Sequence, residues 1–87
     1  MQADPQKIAR LLKTAQGQLE GILKMVEEDR YCLDVSSQIM AAQSILKKAN
    51  RMVLRAHMDC CVREAVASGQ PDEKLEELAA LLDKLAE

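Results

Sequence analysis

The amino-acid sequence predicts an all-α protein, and three features of its composition lead to that prediction. The chain has 87 residues, 48% of them hydrophobic, and its sole aromatic residue is Tyr31. The core must therefore be built from Leu, Ile, Val, Met and Ala, which suit helices better than strands. Three Gly and two Pro leave few places for turns, so the helices should be few and long. We expect residues 1–87 to form one domain.

Three helices are expected in order along the chain. The first begins at Asp4-Pro5, a capping residue followed by a proline at the first helical position, and ends in the charged turn 27–30. The second begins between Cys32 and Asp34, with Asp34 as its expected cap, and runs without Gly or Pro to the segment 69–72, after which the third begins. The expected apolar faces are Ile8, Leu11, Leu12, Ala15, Leu19, Ile22, Leu23 and Val26 in the first helix, and Leu75, Leu78, Ala79, Leu82 and Leu85 in the third.

The second helix indicates that several copies of the chain assemble. About 33 residues at about 1.5 Å each would span roughly 50 Å. A compact globule of this chain length has a radius of gyration near 12 Å, so it cannot cover such a rod. A homo-oligomeric helical bundle would bury the apolar surface that one chain leaves exposed.

The charges are sorted along the chain rather than mixed. Twelve bases and 14 acids give a net charge of −2, yet segments 5–19 and 35–58 contain seven bases and no acid. On a helix the four bases of the second segment share an arc of about 100°. An acid-free arc favours phosphate binding, although such bases also form ordinary solvated faces. The seven are Lys7, Arg10, Lys13, Lys47, Lys48, Arg51 and Arg55. No helix-turn-helix, zinc-finger or basic-zipper pattern occurs, so binding would use a broad charged surface.

A histidine and two of the three cysteines have the chemistry of a metal site. His57 and Cys61 lie one helical turn apart on one face, although a half-buried His beside a small core Cys would have the same spacing. Cys32 lies nearly 40 Å away along a straight helix, so it could join them only from another protomer. Two thiolates and one imidazole suit Cu(I), with Zn(II) as an option if a fourth ligand is added. Cys60 is expected to be a small core residue.

Three segments resemble the copper-sensitive operon repressor family (CsoR/RcnR-type metal-sensing repressors). They are Gln16-Gly17-Gln18-Leu19-Glu20-Gly21 followed by Met25, then Tyr31-Cys32-x-Asp34-Val35-x-x-Gln38-Ile39, and His57-x-x-x-Cys61. The resemblance implies an antiparallel helical-bundle dimer that pairs into a tetramer. It also implies that the apo form binds double-stranded operator DNA, and that Cu(I) weakens this binding and derepresses copper-export genes.

The resemblance also implies roles for individual residues. Cys32 of one protomer would bind Cu(I) together with His57 and Cys61 of its mate. Tyr31 and Glu77 match positions beside the ligands, and Glu77 would accept the second imidazole N–H of His57. DNA contacts are expected from Arg10, Lys13, Lys47, Lys48, Arg51 and Arg55. The chain departs from many relatives in having Leu11 and Gln16 where they carry bases.

The sequence also bears on enzymatic and membrane functions and leaves two alternative functions open. The chain lacks a Gly-rich phosphate loop, a Gly-x-Ser-x-Gly motif and an acid pair in an apolar setting, so we expect no enzyme and no catalytic residues. Without an apolar leader or a run of about 18 apolar residues, we expect a cytoplasmic protein with no membrane partner. Two alternatives remain: a persulfide-sensing repressor switched by sulfur chemistry between Cys32 and Cys61, and a helical metal buffer without a DNA role.

Overall fold

Three α-helices account for the fold in a computed structural model, which describes residues 1–69 and 71–86. Helix α1 spans Pro5–Glu27, α2 spans Cys32–Ser68 and α3 spans Pro71–Ala86. No strand occurs in these described ranges, so the all-α prediction is confirmed. The predicted turn between α2 and α3 includes Gln70, which lies outside the described residues.

Local sequence signals explain the ends of α1 and α2. The Asp4 carboxylate accepts hydrogen bonds from the backbone N–H of Gln6 and of Lys7, at 2.9 and 3.5 Å, so it caps α1 as expected. Helix α2 ends at Ser68 and is capped by Gly69, whose φ of 68° is left-handed and whose N–H donates to the Ala65 carbonyl at 3.2 Å.

The predicted cap of α2 is wrong. Helix α2 begins at Cys32 with Tyr31 as its cap residue, and no side chain makes a capping hydrogen bond there. The Tyr31 carbonyl already accepts hydrogen bonds from the N–H groups of Asp34 and Val35, at 3.0 and 3.1 Å. Asp34 therefore lies inside the first turn, where its carboxylate is favourable against the helix dipole but satisfies no free N–H.

The core is a narrow seam in which small side chains let the helices approach closely. Helix α1 packs along α2, α3 packs on the C-terminal part of α2, and α1 and α3 do not touch within the described ranges. The buried residues recur at seven-residue spacing in α1 and in the middle of α2, which is the seam of two long helices packed side by side. The residues at this spacing are Ile8, Ala15 and Ile22 in α1 and Ala42 and Ala49 in α2; Cys61 is the third buried residue of α2.

Much of the predicted apolar surface of α1 remains exposed in a single chain. The molecule measures 58 × 26 × 13 Å and its radius of gyration is 17.6 Å, well above the compact value, as the length of α2 requires. Four residues of the predicted apolar face of α1 are exposed; they are Leu12, Leu19, Leu23 and Val26. A single chain therefore covers only the centre of that face.

Most of the predicted apolar face of α3 is exposed in a single chain. Leu75, Ala79 and Leu82 are exposed, whereas Leu78 of this face is half-buried, as are Leu81, Lys74 and Glu77. Lys74 and Glu77 make polar contacts with α2, described below. The side chain of Leu85, which completed the predicted face, lies outside the described residues. None of the described helices is long and apolar enough to cross a membrane.

Candidate metal centre and basic surface

His57, Cys61 and Glu77 converge where α3 packs on α2. The distance from His57 Nε2 to Cys61 Sγ is 3.4 Å, and that from Nε2 to Glu77 Oε1 is 2.7 Å. The ligand-type atoms of all three side chains lie within 4.8 Å of one another. Cys61 is buried, while His57 and Glu77 are each about two-fifths exposed (43% and 41%), so a small ion could reach the cluster from solvent.

The contact of Glu77 differs from the expected one in a single respect. The carboxylate meets Nε2, the same ring nitrogen that faces Cys61, rather than the second nitrogen. This hydrogen bond holds the pKa of Glu77 below its ordinary value. Loss of hydration is the main reason that the pKa of Cys61 is raised, and the negative charge of Glu77 raises it further.

Lys74 of α3 connects the cluster to a further carboxylate, that of Glu64 on α2. Its Nζ lies 2.9 Å from Glu64 Oε2 and 3.8 Å from Glu77 Oε2. These contacts lower the pKa of Glu64 and raise that of Lys74. The Cys60 thiol donates to Glu64 Oε1 at 3.6 Å, so this half-buried cysteine points toward the ion pair rather than into the core. Loss of hydration and the nearby Glu64 charge raise the pKa of Cys60.

Cys32 and Tyr31 lie at the opposite end of α2 from the cluster. Both side chains are exposed, and Cys32 lines a shallow depression beside the α1–α2 turn. The 25 residues between Cys32 and His57 correspond to about 38 Å of helix. Cys32 is therefore far from His57 and Cys61 within one chain, and the sequence predicts this separation.

The seven bases of the two acid-free segments of α1 and α2 are called the basic surface, and six of them line adjoining depressions. Lys7 and Arg10 of α1 line the same depression as Lys48 of α2, together with Leu11 and Met52. Arg10 and Lys13 line a neighbouring depression, and Lys48, Arg51 and Arg55 line a longer groove that ends at Asp59. Lys47 is exposed but lines none of these.

The basic surface is exposed and its charges are not neutralised. All seven side chains are exposed, and within the described ranges none of them forms a salt bridge. Lys7 is the member that the predicted DNA contacts omit. Its spacing of three residues from Arg10, in a segment without acids, is the signal that could have included it.

Comparison with known proteins identifies the family of the chain. Residues 4–84 match the model of the metal-sensitive transcriptional repressor family. The chain belongs to this family. Over 67 residues it is 46% identical to the copper-sensing transcriptional repressor CsoR of Mycobacterium ulcerans. That match covers 77% of this chain and 57% of the relative, so the chain spans little more than half the relative's length.

Two solved structures of this repressor family share the fold. The nickel-responsive transcriptional regulator InrS superposes with a TM-score of 0.88 at 33% identity, covering 98% of this chain and 96% of the regulator. The copper-sensing repressor CsoR with Cu(I) from Geobacillus thermodenitrificans gives 0.83 at 35% identity, covering 94% of this chain and 85% of that one. One fold therefore occurs in proteins that respond to different metals, and the donor atoms of this chain must indicate its metal.

Proposed function

We propose that the chain is a cytoplasmic Cu(I)-sensing transcriptional repressor. Its apo form binds operator DNA, and Cu(I) releases the DNA and derepresses copper-resistance genes. The observation that carries the proposal is that the His57–Cys61 pair lies on the same continuous helix, α2, as four bases of the basic surface. Nine residues, or about 14 Å of helix, separate Lys48 from His57. A shift of α2 at the metal ligands therefore moves the bases as well.

The donor atoms of the site fit Cu(I). Cys61 supplies a sulfur beside the imidazole of His57, and sulfur and imidazole ligands together select soft, low-coordinate ions. When Nε2–H donates to Glu77, the lone pair of the imidazole lies on Nδ1, which is then the nitrogen free to bind the metal. Bound Cu(I) would supply strong bonds to sulfur and nitrogen that join the residues holding it. Glu77 orients the ring, and Tyr31 would flank the site from the end of α2 that carries Cys32.

The third ligand would come from a second protomer. Cys32 is exposed and is held about 38 Å from His57 within its own chain. An antiparallel pairing of two α2 helices brings the start of one near the end of the other. The exposed apolar residues of α1 and α3 provide surface for such pairing and for the association of two dimers into a tetramer.

The basic surface supplies the affinity for the DNA backbone. Lys and Arg without carboxylate partners can release counterions from phosphates, and symmetric copies of the chain repeat the surface along a duplex. In a two-state tetramer, Cu(I) would favour the arrangement in which the copies no longer match the phosphate spacing. The ligand thereby shifts the equilibrium through its higher affinity for the state with low DNA affinity.

An anaerobic Cu(I) titration of the reduced protein against a competing chelator tests the proposal. We expect one tightly bound Cu(I) per protomer in the parent protein and loss of tight binding in Cys32→Ala. Cys60→Ala is the matched control, and it should retain the parent affinity because Cys60 points toward Glu64. Binding that is weak, or that does not depend on Cys32, would discard the copper proposal and leave the persulfide-sensing alternative.

A further inference from the structure

One face of α2 carries an apolar stripe beside a basic stripe. Leu54 and Met58 are half-buried and line the long groove described above, together with the exposed bases Lys48, Arg51 and Arg55. At about 100° per residue, the two apolar residues lie within an arc of about 40°, and the three bases fill the next arc of about 60°. All the residues that line this groove belong to α2, so α1 and α3 of the same chain leave it open.

Helix α3 repeats this arrangement with the opposite charge. Leu75, Ala79 and Leu82 are exposed and lie within an arc of about 60°. Three acids fill the next arc of about 40°, on the same side of the apolar stripe as the bases of α2. Together these six residues are called the acidic face of α3; the acids are Asp72, Glu76 and Asp83. All three acids are exposed, and none of them forms a salt bridge among the residues that the structure describes.

The groove and the acidic face match in length and in charge spacing. The groove spans residues 48–59 and the acidic face residues 72–83, each about 17 Å of helix. Lys48 and Arg55 are seven residues apart, as are Glu76 and Asp83, so two ion pairs can form at once. When two helices pack antiparallel, the same flank of each apolar stripe meets, and the acids then face the bases. A parallel contact would place the bases against the other flank of α3.

The acidic face that fits the groove must come from another copy of the chain. Within one chain, Lys74 and Glu77 hold α3 on α2 beside His57, and the acidic face points to solvent. A contact between the groove of one copy and α3 of the next joins two different surfaces, so it is heterologous and can link assemblies rather than only close one.

We propose that the acidic face of α3 of one copy docks antiparallel in the α2 groove of a second copy when no DNA is bound. The contact covers Lys48, Arg51 and Arg55, and it therefore excludes a phosphate backbone from these bases. DNA-free protein is thereby withheld from unspecific duplexes by its own acidic helix. The competition with DNA rests on the proposed function, whereas the contact between copies does not.

Sedimentation velocity of the metal-free, reduced, full-length protein tests the contact. The Debye length is about 30 Å at about 0.01 M salt and about 3 Å at about 1 M, so ion pairs between copies form in the first condition and are screened in the second. We expect the self-association constant at low salt to fall about fivefold or more in Glu76→Gln/Asp83→Asn, and the difference to vanish at high salt. Glu20→Gln/Glu27→Gln is the matched control, because it removes the same charge from exposed positions of α1 and should associate like the parent.

A mixture of two variants separates a specific contact from a general effect of charge. Lys48→Gln/Arg55→Gln lacks the groove charges but keeps the acidic face, and Glu76→Gln/Asp83→Asn has the reverse. Each should associate weakly alone, and an equimolar mixture should regain a faster-sedimenting species, because one protein supplies the groove and the other supplies α3. A mixture that sediments as the sum of its components would overturn the proposal. So would parent-like association of Glu76→Gln/Asp83→Asn with its helix content retained by circular dichroism.

A labelled duplex added to the parent protein tests the competition. We expect self-association to fall as duplex is bound, because both need the same three bases. Undiminished association of duplex-bound protein would show that the groove is not the contact. If no duplex binds while the association still depends on Glu76 and Asp83, the proposed DNA binding fails and the contact between copies stands.

Discussion

The two ends of α2 differ in whether their charged side chains form salt bridges. In the acid-free segment 35–58, and in the part of α1 packed beside it, the bases are exposed and form no salt bridge among the described residues. Near the C-terminus of α2, by contrast, Glu64, Lys74 and Glu77 are paired with one another and with His57. Unpaired bases are available to an external polyanion, whereas paired groups hold a neighbouring side chain in place. Helix α2 therefore presents, together with α1, a surface suited to binding phosphate, and forms, together with α3, a network that positions the candidate metal ligands.

The largest expected effect is the loss of operator binding when bases of the basic surface are removed. The triple variant Lys48→Ala, Arg51→Ala and Arg55→Ala should lose operator binding while its Cu(I) affinity stays nearly unchanged. Each phosphate contact contributes about 0.9 to the slope of log affinity against log salt, so the loss is multiplied over the copies in an oligomer. Electrophoretic mobility shifts and fluorescence anisotropy at several salt concentrations measure the operator affinity and its salt dependence, and competition with a chelator measures the Cu(I) affinity.

A matched control removes bases from the opposite region of the chain. Arg63 and Lys84 are exposed and lie outside the basic surface, so replacing both with Ala should leave operator affinity within about threefold of the parent. Operator binding that survives the triple substitution would show that the basic surface is not the DNA interface.

The next largest effect concerns how Cu(I) binding at His57 changes the operator affinity of the basic surface. His57→Ala should retain operator binding, because the basic surface is unchanged, but it should respond poorly to Cu(I). The measurement is the operator affinity with and without one equivalent of Cu(I) per protomer. Met58→Ala, the adjacent residue on α2, serves as the control and should still be released by Cu(I). Full release of DNA from the His57→Ala protein would remove this histidine from the switch.

A smaller effect is expected when only the orientation of the imidazole is altered. Glu77→Gln removes the charge that holds Nε2–H, and the loss of such a partner costs about 10- to 100-fold in metal affinity. We expect the Cu(I) stoichiometry to stay at one per protomer while the affinity falls within this range. Competition with a Cu(I) chelator measures the change. An unaltered Cu(I) affinity would mean that Glu77 is only a surface acid, as its position in the sequence alone would indicate.

The sequence predicts the features that depend on neighbouring residues within one helix. The Asp4 cap, the Gly69 end of α2, the His57–Cys61 pair and the arc of bases all follow from local spacing, and the structure contains them. The distance of Cys32 from that pair also follows, because the rise of a helix is constant. Spacing alone does not establish that the pair binds a metal, and the ligand roles remain proposals.

The features that the sequence did not predict depend on how α3 is rotated against α2. Periodicity indicates a leucine face for α3 but not the neighbour that the face contacts. Lys74 contacts Glu64, which is ten residues away, and Glu77 contacts His57, which is 20 residues away, in each case in a different helix. Polar pairing between helices leaves no periodic signal in one sequence. The family resemblance predicts a role for Glu77 beside the ligands. Neither the resemblance nor the residue spacing predicts the contacts of Lys74 and Glu64.

The smallest expected effect tests this link between α3 and α2. Lys74→Met removes the cation shared by Glu64 and Glu77, so α3 should open more often while α1 and the first half of α2 remain unchanged. The pKa values of Glu64 and Glu77 are lowered in the folded chain, so both carboxylates stabilise it at pH values above their ordinary pKa. That stabilisation is lost as the pH falls through the lowered values. Acid should therefore loosen α3 in the parent protein, and the variant should show a weaker dependence on pH.

Amide hydrogen exchange followed by mass spectrometry measures this opening, with α1 as the internal reference. Lys84→Met is the matched control, because Lys84 lies on the same helix and is exposed. The expected result is lower protection of the α3 amides in Lys74→Met at neutral pH, approaching their protection in the parent protein in acid once the intrinsic exchange rate at each pH is taken into account. Equal protection in the two lysine variants would show that the contacts of Lys74 do not hold α3 on α2. In that case the polar network would orient His57 without fixing the helix, and the two ends of α2 would differ in charge pairing but not in how firmly their neighbours are held.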